Sequence, residues 1–285
     1  MRTVRLVREV TQQGNNGPAN GMYALQHFLR ENQPEWFEIG GEPQPGEVIW
    51  WWSWMDRERI QAWDQQGQQW IQGPNLLFHW YKRPCPPELP AEDVICRSPN
   101  CLLHFTESQW YADLINRHRT NTAPLVLWHY PIYPLPDGPL HPDIDVLIYA
   151  KSGWNPNMIE SLEKAWPRTK TLYYGQFERR ELQDAARRAR ACIYLSDNDR
   201  GPLALAEILL CGCQAIGIPM GAPWIVHGVN GASVSHLDAT EITMATDAVL
   251  CNSVKNSDVR DWAKHFFDGT TTAKWIYQSI QQAVQ

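Results

Sequence analysis

The sequence predicts an α/β protein of two doubly wound domains, and three observations carry that prediction. Short apolar runs bounded by turn residues alternate with polar, helix-patterned segments through both halves of the chain. The stretch HYPIYPLPDGPLHPD, residues 129–143, holds five prolines and one glycine. It can form neither a helix nor an inner strand, and it suits a semi-rigid connection between domains. The length of 285 residues accommodates two moderate domains at roughly 100–200 residues each, but it is short for two full-sized ones, so the N-terminal domain reads as trimmed. The expected division is residues 1–135, residues 143–256 and a C-terminal helical segment at 257–285.

In the first domain, TVRLVREV at residues 3–10 alternates apolar and charged positions as a first strand does. The loop from Gln12 to Gly21 follows, then a helix starting at Pro18 or Ala19 and running to Arg30. A glycine-rich strand-to-helix turn lets backbone N–H groups approach an anion, which makes Gly14, Asn15, Asn16 and Gly17 candidate ligand contacts; a plain flexible turn is the alternative. Glu47 to Trp54, EVIWWWSW, is a strand by its β-branched and aromatic content. Its tryptophans either fill a core or stack on a sugar face, and Trp54, at the carboxyl end, is placed for contact. A polar helix from Asp56 to Gln66 leads to a short strand ending at Gly73-Pro74-Asn75, with Asn75 a second candidate on that side. Further strands are expected at Cys101–Phe105 and Pro124–Trp128, with a helix from Glu107 to Asn116 between them.

The second domain opens with a buried strand, Asp145 to Lys151, that ends in a cation. A helix from Asn157 to Trp166, a strand from Thr171 to Phe177 and the apolar run ACIYLSD (residues 191–197) follow. Pro202 at a first helical position and Gly212 just past the last mark a helix from 202 to 211. That helix is apolar apart from Glu207, whose neighbours three and four places away are Leu203, Ala204, Leu210 and Cys211. No cation on the same helix reaches it. A helix apolar all round is buried and a buried carboxylate needs a partner, so the partner must come from elsewhere, a ligand hydroxyl being a natural candidate. From Ser257 onward, Trp262, Phe266, Trp275, Ile276 and Ile280 recur at helical spacing, giving one or two amphipathic helices.

The net charge of -6 gives no global reason to expect a polyanionic partner. The basic runs Arg117-His118-Arg119, Arg179-Arg180 and Arg187-Arg188-Arg190 read first as solvated helix faces. Seven cysteines, an odd number without a repeated C-x-x-C pair, point to reduced thiols and a cytoplasmic setting. No run approaches the ~20 apolar residues of a membrane span, and no signal-peptide pattern is present.

The stretch DNDRGPLALAEILLCGCQAIGIP, with YGQFERRELQDAARRARACIYLSD before it and IVHGVNGASV after it, resembles the donor site of retaining, nucleotide-sugar-dependent glycosyltransferases of the GT-B type. Asp199 and Glu207 have that family's spacing of an acidic residue, seven residues and a glutamate. The resemblance implies two Rossmann-like domains facing a cleft, with the last helix crossing back onto the first domain. It implies that Glu207 bonds the nucleotide ribose and Asp199 the transferred sugar as the acidic catalytic residue. Lys151 with Gly201, Pro202, Leu203 and Ala204 would face the diphosphate, and Gly175-Gln176-Phe177 would hold the base. The family's second phosphate-binding cation is missing from Ser152-Gly153-Trp154-Asn155, with Arg180 or Arg200 as a substitute. The family's N-terminal histidine falls nearest His79, with His104 and His129 as rivals, and each of them is equally readable as structural. The resemblance implies a UDP-sugar donor, a hydroxyl acceptor, retention of configuration and no metal or other cofactor.

Alternatives remain open on the residues. Asp197-Asn198-Asp199 is also a D-x-D triplet of the kind that holds Mg²⁺ or Mn²⁺. The acceptor is a small molecule, a lipid-linked sugar, a polysaccharide end or a hydroxymethylated base in DNA, the last as in viral enzymes of this type. A catalytically idle nucleotide-sugar binding module is the remaining reading.

Overall fold

The computed structural model describes residues 2–11, 17–32, 35–52, 57–73, 97–106, 109–127, 132, 135, 142–197, 199, 202–219 and 224–285. The chain separates into two compact units, Met1–Pro131 with Gly269–Gln285, and Ile132–Asp268.

The first unit contains β1 (Val4–Leu6), α1 (Gly17–Asn32), β2 (Phe37–Ile39), β3 (Val48–Trp51), α2 (Arg57–Gln65), β4 (Trp70–Gln72), β5 (Cys101–Thr106), α3 (Gln109–His118) and β6 (Leu125–Leu127). Its strands form one sheet in the order β2-β1-β3-β4-β5-β6, each pair parallel. The tryptophan run is core: Trp50 and Trp51 are fully buried and Trp52 nearly so. The Trp50 indole donates to the Gly73 carbonyl (2.8 Å), and Trp52 donates to the Arg8 carbonyl (3.1 Å) under the Arg8 guanidinium. Gly73 is held by a close approach as well as by its φ of 101°, since a Cβ there would lie 2.1 Å from the Phe105 carbonyl oxygen. Strand β2 had no expectation in the sequence.

The second unit contains β7 (Ile144–Ala150), α4 (Pro156–Ala165), β8 (Thr169–Tyr173), α5 (Arg179–Arg188), β9 (Ala189–Leu195), α6 (Leu203–Leu210), β10 (Gln214–Gly217), β11 (Gly231–Ser233), α7 (Ala239–Cys251) and α8 (Asn256–Phe266). Its sheet runs β11-β10-β9-β7-β8, again wholly parallel. Every residue of β7 is buried, and β9 is nearly as apolar, as a strand covered by helices on both faces must be. One face carries α4 and α7, whose Ile159, Leu162, Ile242 and Val249 pack on Val146, Ile148 and Ile193. Across the sheet, α6 packs against both α5 and α8. Helix starts follow local chemistry: the Asn155 side chain caps α4 by accepting from Met158 N (2.9 Å) with Pro156 at the first position, and Asp238 caps α7.

The final helix, α9 (Gly269–Val284), belongs to the first unit, where Tyr277 sets its ring edge-on to Trp36 at 5.0 Å. Of the apolar stripe read from Ser257 onward, Trp275, Ile276 and Ile280 therefore lie on α9, and Trp262 and Phe266 lie on α8 of the second unit.

A register shift between Trp70 and Ile71, where β4 meets β5, brings Cys101 and His104 to the same side of the sheet. His104 is fully buried, with Nε2 3.4 Å from the Cys101 thiol and Nδ1 3.3 Å from Gln72 Oε1. Burial, with Arg119 nearby, pushes its pKa down to about 4. Protonation of this imidazole therefore favours the unfolded chain, which binds the proton near pH 6.5. Stability from this group is present above pH 6.5 and is lost as pH falls toward 4. Urea denaturation across that window is expected to show the wild type losing roughly 3 kcal/mol more than His104→Gln; parallel curves for the two proteins would refute the burial of a neutral imidazole.

Candidate functional site

In the second unit the strand order reverses at β7 and β9: the chain goes from β7 outward to β8, then returns past β7 to β9 and continues to the other edge. Diverging connections at such a point leave a crevice at the carboxyl ends of the two strands. The register of β7 on β9, from Ile144 opposite Ala189 to Ala150 opposite Leu195, brings Lys151 level with the residues that follow β9. Lys151 N and Ser152 N both donate to the Leu195 carbonyl, at 2.9 and 3.1 Å, which fixes the loop after β7 against the end of β9.

The Lys151 ammonium meets Asp199 Oδ2 at 2.5 Å, with Asp199 itself buried. The Tyr194 hydroxyl donates to the same oxygen at 2.7 Å. Tyr194 stacks on Tyr149, its opposite number in the register, with ring centroids 4.9 Å apart and planes 9° from parallel. Burial and the neighbouring Asp199 charge push both phenols well above their ordinary pKa, so Tyr194 keeps the proton it donates. Lys151 also lies 5.2 Å from the ring of Tyr174, a half-exposed aromatic just past β8.

Helix α6 starts one residue later than the sequence predicts and ends one earlier. Pro202 is the N-cap, and the first helical bond runs from Ala206 N to the Pro202 carbonyl (3.1 Å). The N–H groups of Leu203, Ala204 and Leu205 thus belong to the unbonded first turn, where the helix dipole favours negative charge.

Glu207 is buried, as its setting requires, but its partner is the protein. Arg179, the first residue of α5, donates to Oε1 through Nε (2.8 Å) and Nη2 (2.7 Å), and Gln183, one turn further on, approaches Oε2 at 3.4 Å. This completes the expectation of a partner from outside α6: the cation comes from a neighbouring helix. It corrects the reading of Arg179-Arg180 as one solvated pair. The Arg180 side chain is 91% exposed and faces Asp184 across its own helix, whereas the Arg179 side chain is 24% exposed and turned inward.

The other candidates divide by position. Gly175, at φ 82°, and Gln176 form an exposed turn after β8, and Phe177 packs edge-on against Tyr149 at 5.8 Å. Gly17 begins α1 in the first unit. Gly14, Asn15, Asn16, Trp54, Asn75, His79, His129, Arg200 and Gly201 lie outside the described residues. His104 is sealed in the first unit's core and, with its depressed pKa, serves packing there.

The D-x-D carboxylates point to different partners. Asp197 is exposed and accepts from the Ser152 hydroxyl at 2.6 Å, while Asp199 is buried on Lys151. Among the described residues no group of three or more His, Cys, Asp or Glu side chains is placed to hold a metal ion.

Sequence reading missed Arg179, Gln183, Tyr194 and Ser152. One signal for the first two was present: they stand four apart on α5, beside the buried Leu182 and Ala186, on a helix otherwise rich in solvated charge.

No family model and no curated protein matches the sequence. Solved structures do. The chain is similar to AviGT4, a glycosyltransferase involved in avilamycin A biosynthesis, at 14% identity and a TM-score of 0.61, covering 99% of this chain and 98% of that one. It is similar to the sucrose-phosphate synthase of Thermosynechococcus elongatus at 12% identity and a TM-score of 0.66, covering 99% of both. It is also similar to a Staphylococcus aureus TarM mutant in complex with UDP, at 8% identity and a TM-score of 0.61, over 92% of this chain and 58% of that one. The chain therefore has the GT-B fold of two parallel-sheet, Rossmann-like units.

Gly153, beside Lys151, sits at φ 75°, and a Cβ there would lie 2.6 Å from Leu237 Cδ1 and 2.9 Å from Asp197 Cβ. Gly175 has a similar φ of 82° but open space around it. Replacing either with Ala incurs the left-handed strain of about 1–2 kcal/mol. Only Gly153→Ala must also push Asp197 and Leu237 aside. Denaturant titration is expected to show Gly153→Ala less stable than Gly175→Ala by at least about 1 kcal/mol; equal losses would refute the close packing.

Proposed function

We propose that this chain is a glycosyltransferase that moves a sugar from a UDP-sugar to a hydroxyl acceptor, with retention of anomeric configuration and without a metal ion. One observation carries the reading: Lys151 pairs with Asp199 at the end where the strand order reverses, three residues before the N-cap of α6, and Glu207 lies one turn into that helix. Parallel sheets take ligands at such a point, and a helix N-terminus beside a lysine suits a diphosphate. The spacing of Asp199 and Glu207 suits two hydroxyl-rich groups on either side of that diphosphate. The GT-B fold, shared with glycosyltransferases and with a protein solved in complex with UDP, supports the assignment.

In this reading Glu207 accepts from the ribose hydroxyls and Asp199 from the hydroxyls of the transferred sugar. Lys151 and the N–H groups of Leu203 and Ala204 stabilise the diphosphate. Gly175 to Phe177 border the base. The bond between the anomeric carbon and the diphosphate oxygen breaks, and its electron pair leaves with the diphosphate. The acceptor oxygen bonds the anomeric carbon from the face the diphosphate leaves, and its proton passes to the departing phosphate. The protein's share of catalysis is preorganised positive potential around a leaving group that gains charge. His79 is the candidate on the first unit, with Trp54 and Asn75 towards the acceptor. The free thiols of Cys101, Cys192, Cys211, Cys213 and Cys251 suit a cytoplasmic setting.

A thermal-shift panel of nucleotide sugars, followed by assay of released UDP, tests this. A UDP-sugar at about 100 times its Kd is expected to raise Tm by about 5 °C. Turnover is expected to persist in EDTA and to yield the retained anomer by NMR. Glu207→Gln is expected to weaken UDP binding by about tenfold or more, and Asp199→Asn to abolish transfer while UDP still binds. A panel in which no nucleotide sugar shifts Tm overturns the proposal; binding without any UDP release makes the chain a binding module instead.

A further inference from the structure

The contacts of Glu207 are asymmetric. Both inward N–H groups of Arg179 converge on Oε1, at 2.8 and 2.7 Å, while Oε2 receives, among the described residues, only the 3.4 Å approach of Gln183 Nε2. Two charge-assisted bonds at those lengths saturate one carboxylate oxygen and fix the plane of the group. A 3.4 Å contact to the other oxygen is weak and leaves its lone pairs available. The carboxylate is buried to 9% exposure on a helix that offers it nothing but apolar neighbours, so its rotamer is set from outside α6.

We infer that Arg179, steadied by Gln183, is a positioning residue that holds the Glu207 carboxylate with Oε2 presented for hydroxyl donors, and so sets the site's preference for a ligand with an intact vicinal diol. The inference rests on the nucleotide-sugar reading above and deepens it. Arg179 acts through Glu207 and needs no contact with the ligand. An arginine is suited to the task because its planar fork delivers two N–H groups to a single oxygen; a lysine at 179 would keep the charge and lose the fixed geometry.

Calorimetry with the ribo and 2′,3′-dideoxyribo forms of UDP, ADP and GDP tests the inference in the full-length protein. The wild type is expected to bind the ribo form of its preferred nucleotide about tenfold or more tightly than the dideoxy form. In Arg179→Ala that ratio is expected to fall towards one, with affinity for the dideoxy form changed by less than about threefold; Arg179→Lys is expected to lie between. If Arg179→Ala does not fold, Arg179→Lys and Gln183→Leu report the same ratio. A ratio unchanged in the variants, or equal weakening of both forms, overturns the positioning role and leaves the nucleotide-sugar reading standing. Failure of the wild type to bind any of the six ligands overturns both.

Discussion

A carboxylate inside an apolar helix must be met by a cation, and the second unit is arranged around how that need is satisfied. Helix α6 contains no basic residue, so the charge on Glu207 is balanced by Arg179 from the start of α5. A few residues earlier, Asp199 is balanced by Lys151 from the end of β7. Each pair joins elements far apart in sequence, and each removes a charge that would otherwise be costly to bury. Parallel pairing of β7 with β9 brings the two strand ends level, which sets Lys151 beside the loop that carries Asp199. The Tyr149–Tyr194 stack floors that meeting point with apolar surface and one phenolic donor.

Much of this was legible in the sequence because it depends on local pattern. The runs that became β7 and β9 are too short and too apolar to be anything but buried parallel strands, and Pro202 and Gly212 bracket α6 to within a residue at each end. The need of Glu207 for an external partner also followed from its neighbours. The identity of that partner did not. Arg179 and Arg180 are adjacent and chemically identical, and only the rotation of α5 on the sheet, fixed by Leu182, Ala185 and Ala186, decides which one turns inward. The mark it leaves in the sequence is indirect: Arg179 and Gln183 stand four apart on the side of α5 that carries Leu182 and Ala186.

The first unit was legible in class and less so in detail. Its tryptophans read as core first and as platform second, and burial of Trp50, Trp51 and Trp52 decides for core where the chain is described. Strand β2 is three residues long with a charged centre, too short for periodicity to register, and it forms because β1 offers a free parallel edge. His104 illustrates the limit from the other side: a histidine near a strand end carries no sign of whether a shift in register will turn it to solvent or seal it beside Cys101.

The return of α9 to the first unit has a consequence for biosynthesis. The second unit is one continuous stretch of chain, whereas the first is split around it and is completed by a helix that is translated after the second unit. On the ribosome the inner segment has all its strands and helices before the outer one does. The sheet of β1 to β6 must therefore wait, with the surface later covered by Tyr277 and Ile280 unshielded, until residues 269–284 emerge. Nascent chains expose such surfaces to chaperones and to aggregation, so slow decoding of the codons for residues 269–284 would burden the first unit rather than the second.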